Sequence, residues 1–218
     1  FKVYSKWPLT FRGLKYDREW MIVNCNGVSV TQKTNSKMCL IIPKINLDEE
    51  VLELNFPYAD SIKVTLNISE LEQNIFASFC RSKVCNDSIE GIDCGDKVSE
   101  WLSDVLCTPG LRLIRQSSMD TRTFKNKSLP DSVQSISLAN QAQFLLINAK
   151  SVDWLLEKVE DWSEINESKK NRLENAVNRF RGNFIVESTN ALEELNWTSV
   201  QIGNVKLKFE ELCTRCQM

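Results

Sequence analysis

Trp20-Met21-Ile22-Val23-Asn24-Cys25-Asn26-Gly27-Val28-Ser29-Val30-Thr31 is the stretch that sets the expected fold. β-Branched and apolar runs flank Asn26-Gly27, a pair that accepts the positive φ of a type I′ turn, so the segment predicts a β-hairpin. Working outward, Lys37 to Ile42, Val51 to Asn55 and Ser61 to Asn67 read as further short strands separated by turn residues. Repeated short strands point to a sandwich or a barrel. The period changes after Gly95. Val98, Trp101, Leu102 and Val105 recur at helical spacing, which predicts a helix with Asp96 as N-cap, ending near Cys107-Thr108-Pro109-Gly110. Leu111 to Ile114 reads as a strand. The polar stretch Gln116 to Ser135 has little to bury and reads as a linker or mobile loop.

The second half alternates more. Gln143 to Asn148 predicts a strand, followed by a helix capped by Ser151 with Val152, Leu155, Leu156 and Val159 in register. Glu164 to Asn175 reads as an exposed helix or loop, Asn183 to Val186 as a short strand and Ala191 to Leu195 as a helical turn. Val200 to Phe209 reads as two strands around Gly203-Asn204. There is no internal repeat, and the expected class is β-rich α+β.

The chain has 218 residues, of which 42% are hydrophobic and 26% charged, a globular balance with room for one large or two small domains. Its 27 basic and 29 acidic residues give a formal charge of -2, so no bulk field favours nucleic acid or an anionic membrane, and any anion site must be local. No apolar run approaches the ~18 residues of a membrane span. The chain has no histidine, which removes Ser-His-Asp, Cys-His and Cys2His2 chemistry and leaves sulfur and carboxylate for metal or redox work. Cys25, Cys39, Cys80, Cys85, Cys94, Cys107, Cys213 and Cys216 are scattered irregularly, without a visible signal peptide, which favours a reducing cytosol over a disulfide framework.

Three constellations carry chemistry. In Cys213-Thr214-Arg215-Cys216 the cation lowers a neighbouring thiol's pKa and offers a thiolate, the nucleophilic and metal-binding form. The pair fits half of a zinc site with Cys80 and Cys85, a redox pair, or two small apolar side chains in a core. In Arg179-Phe180-Arg181-Gly182-Asn183, Arg181 and Asn183 lie two apart, so an extended segment turns both to one face. A guanidinium beside a carboxamide suits a ligand with phosphate and purine-like edges; a solvated basic segment is the simpler alternative. Tyr16-Asp17-Arg18-Glu19-Trp20 places alternating charges before a strand, most simply as surface ion pairs, with Arg18 as the candidate binding residue. Asp93-Cys94-Gly95 reads as a turn that starts a helix, and Trp7, Trp101, Trp154, Trp162 and Trp197 as packing.

Taken in order, Gly13 to Met21, Asp93-Cys94-Gly95, Ser137 to Asn148, Arg179 to Asn183 and Cys213 to Met218 closely resemble the C-terminal region of the eukaryotic molybdenum cofactor sulfurases. The resemblance covers nearly the whole chain. It implies an N-terminal MOSC β-barrel over residues 1–112 and a MOSC β-barrel domain with a few peripheral helices over residues 113–218. On the family pattern both are expected to be cut: a Lys-Ser-Cys segment would precede Phe1, and a loop and final strands would follow Met218.

By the same resemblance, Cys216 is the catalytic residue that contacts molybdenum, and Arg18, Arg181, Asn183, Thr214 and Arg215 hold the pterin and phosphate of the molybdenum cofactor (molybdopterin). The resemblance implies a cytoplasmic transferase of cofactor biosynthesis that inserts a terminal sulfur and so activates xanthine dehydrogenase and aldehyde oxidase. Its sulfur would come from the protein's own preceding pyridoxal-phosphate desulfurase domain, so this chain alone is expected to be inactive. Neither nucleic acid nor membrane is an expected partner. An amidoxime-reductase-type MOSC enzyme and a non-catalytic cofactor carrier are the alternatives. Gln217-Met218 and the Arg-Gly-Asn segment lean toward the sulfurase.

Overall fold

Alternating side chains build the first half of the molecule. The computed structural model describes residues 3, 6–67, 69, 79–84, 87–125, 133–139, 142–159, 168–210 and 212–213. These fall into two compact units, one through residue 139 and the other from residue 142. The first unit holds β1 (Leu9–Thr10), β2 (Gly13–Leu14), β3 (Trp20–Val23), a 3-10 helix (Ser36–Leu40), β4 (Ile42–Asn46), β5 (Val51–Phe56), β6 (Ala59–Thr65), β7 (Phe79–Val84), β8 (Asp87–Asp93), α1 (Asp96–Val105), β9 (Arg112–Gln116), β10 (Thr123–Lys125) and β11 (Val133–Ser135).

Two antiparallel sheets, ordered β3-β9-β8-β7 and β4-β5-β6, share one core with α1. Leu52 and Leu54 alternate inward on β5 and meet Val64 of β6, while Val98 and Leu102 bury one face of α1. Each such side chain contributes about 1.5–3 kcal/mol by leaving water. Leu113 to Gln116 of β9 are all buried, as suits a strand inside its sheet. Among the described residues neither sheet closes into a barrel.

The opening stretch does not form the full hairpin its residues predict. The Asn24 carboxamide oxygen accepts from the N–H groups of Asn26 and Val28 at 3.0 Å each, with Gly27 at φ 72°. An Asx-type turn therefore begins two residues before Asn26-Gly27. The returning chain makes one isolated bridge, Val23↔Ser29, whereas the long partner of β3 is β9, in register from Trp20↔Arg115 to Val23↔Arg112. That distant pairing buries Ile22 and Val23.

Three further expectations change. Lys37 to Leu40 lies in the 3-10 helix, capped by the Asn35 oxygen, which accepts from Lys37 N at 3.1 Å, and the strand begins only at Ile42. The N-cap of α1 is Gly95, not Asp96; Asp93 Oδ1 accepts from Gly95 N at 2.9 Å and fixes the turn from the preceding residues. The polar stretch after β9 is no bare linker where it is described: β10 pairs with β11, and Ser117, Asp120 and Arg122 are buried. Its residues 126–132 lie outside the described part.

The second unit holds β12 (Leu146–Asn148), α2 (Ala149–Leu156), α3 (Lys169–Phe180), β13 (Phe184–Val186), a 3-10 turn (Glu193–Asn196), β14 (Ser199–Ile202) and β15 (Val205–Lys208). β12 and β13 pair in parallel, Leu146↔Phe184 to Asn148↔Val186, with both helices between them in sequence, as a parallel pair requires. Val152, Leu156, Ala176 and Val177 form its core. Ser168 caps α3, its hydroxyl accepting from Asn171 N at 3.3 Å; residues 164–167 of the expected segment lie outside the described part. β14 and β15 form the hairpin expected around Gly203-Asn204.

Ser151 does not cap α2. Buried Asn148 does, because its carboxamide both accepts from Lys150 N at 3.1 Å and donates to Ser188 Oγ at 2.7 Å and Glu194 Oε2 at 2.6 Å. Ser151 instead donates to Glu194 Oε2 at 2.8 Å and accepts from Leu192 N at 2.8 Å. No described helix is long and apolar enough to cross a membrane.

Candidate functional site

Arg18 sits on a turn of unusual backbone. Tyr16 and Arg18 both take left-handed conformations, φ 69° and 53°, which non-glycine residues adopt only when their surroundings impose it. Four anchors do so. Asp17 N donates to Leu14 O at 3.0 Å, Leu138 N to Arg18 O at 2.9 Å, Gln116 N to Glu19 O at 2.8 Å, and Tyr16 N to Glu19 Oε1 at 2.6 Å.

Glu19 is held in turn by Arg115, which is 3% exposed. Its Nη2 lies 3.2 Å from Glu19 Oε2 and its Nη1 donates to Leu66 O at 2.7 Å. The guanidinium carbon also lies 4.8 Å from the Trp20 ring centroid and 5.6 Å from that of Tyr16. The carboxylate, the carbonyl and the two aromatic faces offset part of the lost water, while the buried Nε has no hydrogen-bond partner among the described residues. The Arg18 guanidinium is partly exposed and pairs with Asp17, so this frame presents a charge-assisted donor suited to an anionic group such as a phosphate.

Beneath this frame, Asp93 receives Arg112 Nε at 2.6 Å, and Asp96 receives Arg112 Nη1 at 2.7 Å, which holds the guanidinium firmly protonated. Burial, reinforced by the Asp93 charge, pushes the Cys94 thiol up to about 12. Cys94 is therefore a neutral side chain and no nucleophile at ordinary pH.

In the second unit, Arg181 is the C-cap of α3, φ 53° and ψ 40°, with its N–H donating to Asn178 O at 3.1 Å. The segment is thus not extended at Arg181, and spacing alone does not put its side chain on one face with that of Asn183. Asn183 ties the segment to the start of β12: its N–H donates to Leu145 O at 2.7 Å and its Oδ1 accepts from Leu145 N at 2.9 Å. Gly182 is required by close packing, since a Cβ there would lie 2.4 Å from Ile147 Cγ1. Arg181 is exposed and Asn183 half-buried.

Cys213 is exposed, while Thr214, Arg215 and Cys216 lie outside the described residues. Among the described residues no group of three or more Cys, Asp or Glu side chains forms a metal cluster. The residue that sequence reasoning missed is the buried support Arg115. The available signal for Arg115 is its position directly after the apolar pair Leu113-Ile114, three residues beyond a first arginine, Arg112.

Residues 3–109 match the MOSC N-terminal beta barrel domain, and residues 133–218 match the MOSC domain. All of this chain aligns at 49% identity with 27% of "Molybdenum cofactor sulfurase 3" of Aedes aegypti, and at 48% with 26% of "Molybdenum cofactor sulfurase" of Bombyx mori. The chain therefore spans about a quarter of the length of the curated relatives it matches, in their C-terminal part. A solution structure of a Bordetella bronchiseptica protein overlays 50% of this chain and 85% of its own at 13% identity, with a TM-score of 0.38. With both domain families matched in order and nearly half of its residues identical to those of the insect sulfurases, this chain belongs to the MOSC-domain proteins and matches the C-terminal MOSC region of molybdenum cofactor sulfurases.

Proposed function

We propose that this chain is the substrate-holding part of a molybdenum cofactor sulfurase, an enzyme that adds a terminal sulfur to the cofactor and thereby activates xanthine dehydrogenase and aldehyde oxidase in the cytoplasm. The observation that carries the reading is likeness along the whole chain, through both domains, to insect proteins of that name. The frame around Arg18 supports it, because a guanidinium on an anchored turn fits the phosphate of a pterin substrate.

In this reading Arg18, Arg181, Asn183, Thr214 and Arg215 bind the pterin and its phosphate, and the Cys216 thiolate, a soft ligand, meets molybdenum. The substrate's metal is the atom that receives sulfur. The chain's own residues bind and orient the cofactor by charge and hydrogen bonds, without histidine. Sulfur would arrive as the outer atom of a cysteine persulfide from a desulfurase domain elsewhere in the protein, where pyridoxal phosphate would reside; its S–S bond would break as a second thiol supplies two electrons and ends as a disulfide, and the oxygen that the sulfur replaces would leave as water. No residue of this chain is assigned to pyridoxal phosphate. The test is the full-length protein carrying Cys216→Ala. The reading expects its target oxidases to stay unsulfurated and inactive while pterin binding persists. Normal activation of the oxidases by the variant would sink the role given to Cys216.

A further inference from the structure

The polar segment after β9 contains a clamp that ends on Arg18. Arg122 is 6% exposed, and its Nη1 donates to Ser137 O at 2.9 Å and also to Ala139 O. Between those two carbonyls lies Leu138, whose N–H donates to Arg18 O at 2.9 Å. The residue ahead is pinned as well. Ile136 N donates to Arg122 O at 3.3 Å, and Gln116 Nε2 donates to Ile136 O at 3.2 Å and to Asp120 Oδ2 at 2.7 Å. Arg12 closes the outer side, donating to the carbonyl oxygens of Ser117 and Ser118 at 3.0 Å each and to that of Asp120 at 2.6 Å.

A buried guanidinium has lost its hydration; the two main-chain carbonyls replace part of that water, and the same hydrogen bonds hold the carbonyls in place. The backbone they fix is the one that holds a non-glycine residue in left-handed conformation.

We propose that Arg122 is a positioning residue for Arg18: by gripping Ser137 and Ala139 it aims the Leu138 N–H at the Arg18 carbonyl and fixes the direction in which the Arg18 guanidinium meets the substrate's phosphate. This rests on the reading that the chain binds the molybdenum cofactor. Arg122 acts through main chain and does not touch the substrate.

The test is a double-mutant cycle in the full-length protein, with bound pterin measured by fluorescence after oxidation. Arg122→Met in the native background is expected to weaken pterin binding about fivefold to tenfold, and to change it less than about twofold when Arg18→Gln is already present, the sign of two residues acting through one another. An equal loss in both backgrounds overturns the proposal, because a general structural role is blind to Arg18. Should Arg122→Met fail to fold, hydrogen exchange of the native protein decides. Pterin binding is expected to slow exchange at the Leu138 N–H by about tenfold or more, and unchanged exchange there overturns the coupling. If pterin does not bind the native protein, or binds Arg18→Gln equally well, the cofactor reading itself falls, an outcome distinct from failure of the clamp.

Discussion

Arg18 and Arg181 share a left-handed backbone, φ 53° at both, yet the two units impose it by different means. Around Arg18 the constraint is polar: Glu19, Arg115, Gln116 and Leu138 all hydrogen-bond or pair to hold the turn, and buried Arg122 stands behind Leu138. Around Arg181 it is a helix end, closed by Asn178 and by a glycine with no room for a side chain. A polar frame couples its members, so one broken link is felt by the rest. A helix cap is local, and its failure stays where it occurs.

The strongest way to break this contrast is Arg115→Met. It strips the half-buried Glu19 carboxylate of its cation and Leu66 O of its donor, and is expected to cost the first unit about 3 kcal/mol, the low end for a broken buried pair because Glu19 still reaches water. Urea unfolding followed by amide exchange in β3 and β9 measures it, and a loss under about 1 kcal/mol would contradict the role given to the frame. Next comes Gly182→Val, whose side chain meets Ile147. A loss of about 1–3 kcal/mol is expected in the second unit alone. Transmission of that loss to amides of β3 and β9 would show that the cap is not local.

Alkaline pH gives a smaller and graded effect. The Cys94 thiol is pushed up to about 12 by burial and by Asp93, against an ordinary value of 9.0 for the unfolded chain. The folded state therefore keeps its proton where the unfolded state releases it. Stability is intact below pH 9.0 and falls as pH rises from there toward about 12. The slope is at most ~1.4 kcal/mol per pH unit, and Cys94→Ala removes that component. A pH-independent difference between native protein and variant contradicts the assignment. In the same experiment, iodoacetamide at neutral pH should label the exposed Cys25, Cys39, Cys107 and Cys213 well before Cys94.

The smallest effect has the opposite sign. Arg181→Gly removes a left-handed strain of about 1–2 kcal/mol and adds a chain-entropy cost of about 0.5–1 kcal/mol. The second unit should gain slightly in stability while pterin binding weakens. A joint loss of stability and binding would mean that Arg181 is a structural residue.

What the sequence disclosed follows from what is local. The period of Val98, Trp101, Leu102 and Val105 gives α1, and the alternation in Val51 to Asn55 gives β5, because each burial pattern is written within its own segment. The partner of β3 is not so written, since Ile22 and Val23 fit equally well against the returning chain or against β9. Gln116 to Ser135 was misleading for another reason. Composition reports polarity but not whether partners exist: Arg122 donates to carbonyls in the interior, and the Gln116 amide nitrogen donates to Asp120 and to Ile136 O. The same applies to Ser151 and Asn148, where only the position of Glu194 decides which residue caps the helix. For the candidate site, residue type marked Arg18 and Arg181, but their left-handed backbones arise from distant anchors and a helix end that no spacing rule contains. The Thr214, Arg215 and Cys216 segment lies outside the described residues, so its assignment stands on sequence likeness.

The most direct test of the central claim is the pterin and molybdenum content of the full-length protein, purified under reducing conditions, against the Arg18→Gln/Arg181→Gln pair. The account predicts equimolar pterin with the native protein and a loss of about tenfold or more in the variant, the effect of removing two charge-assisted donors. Equal pterin in both, with both folded, would contradict it.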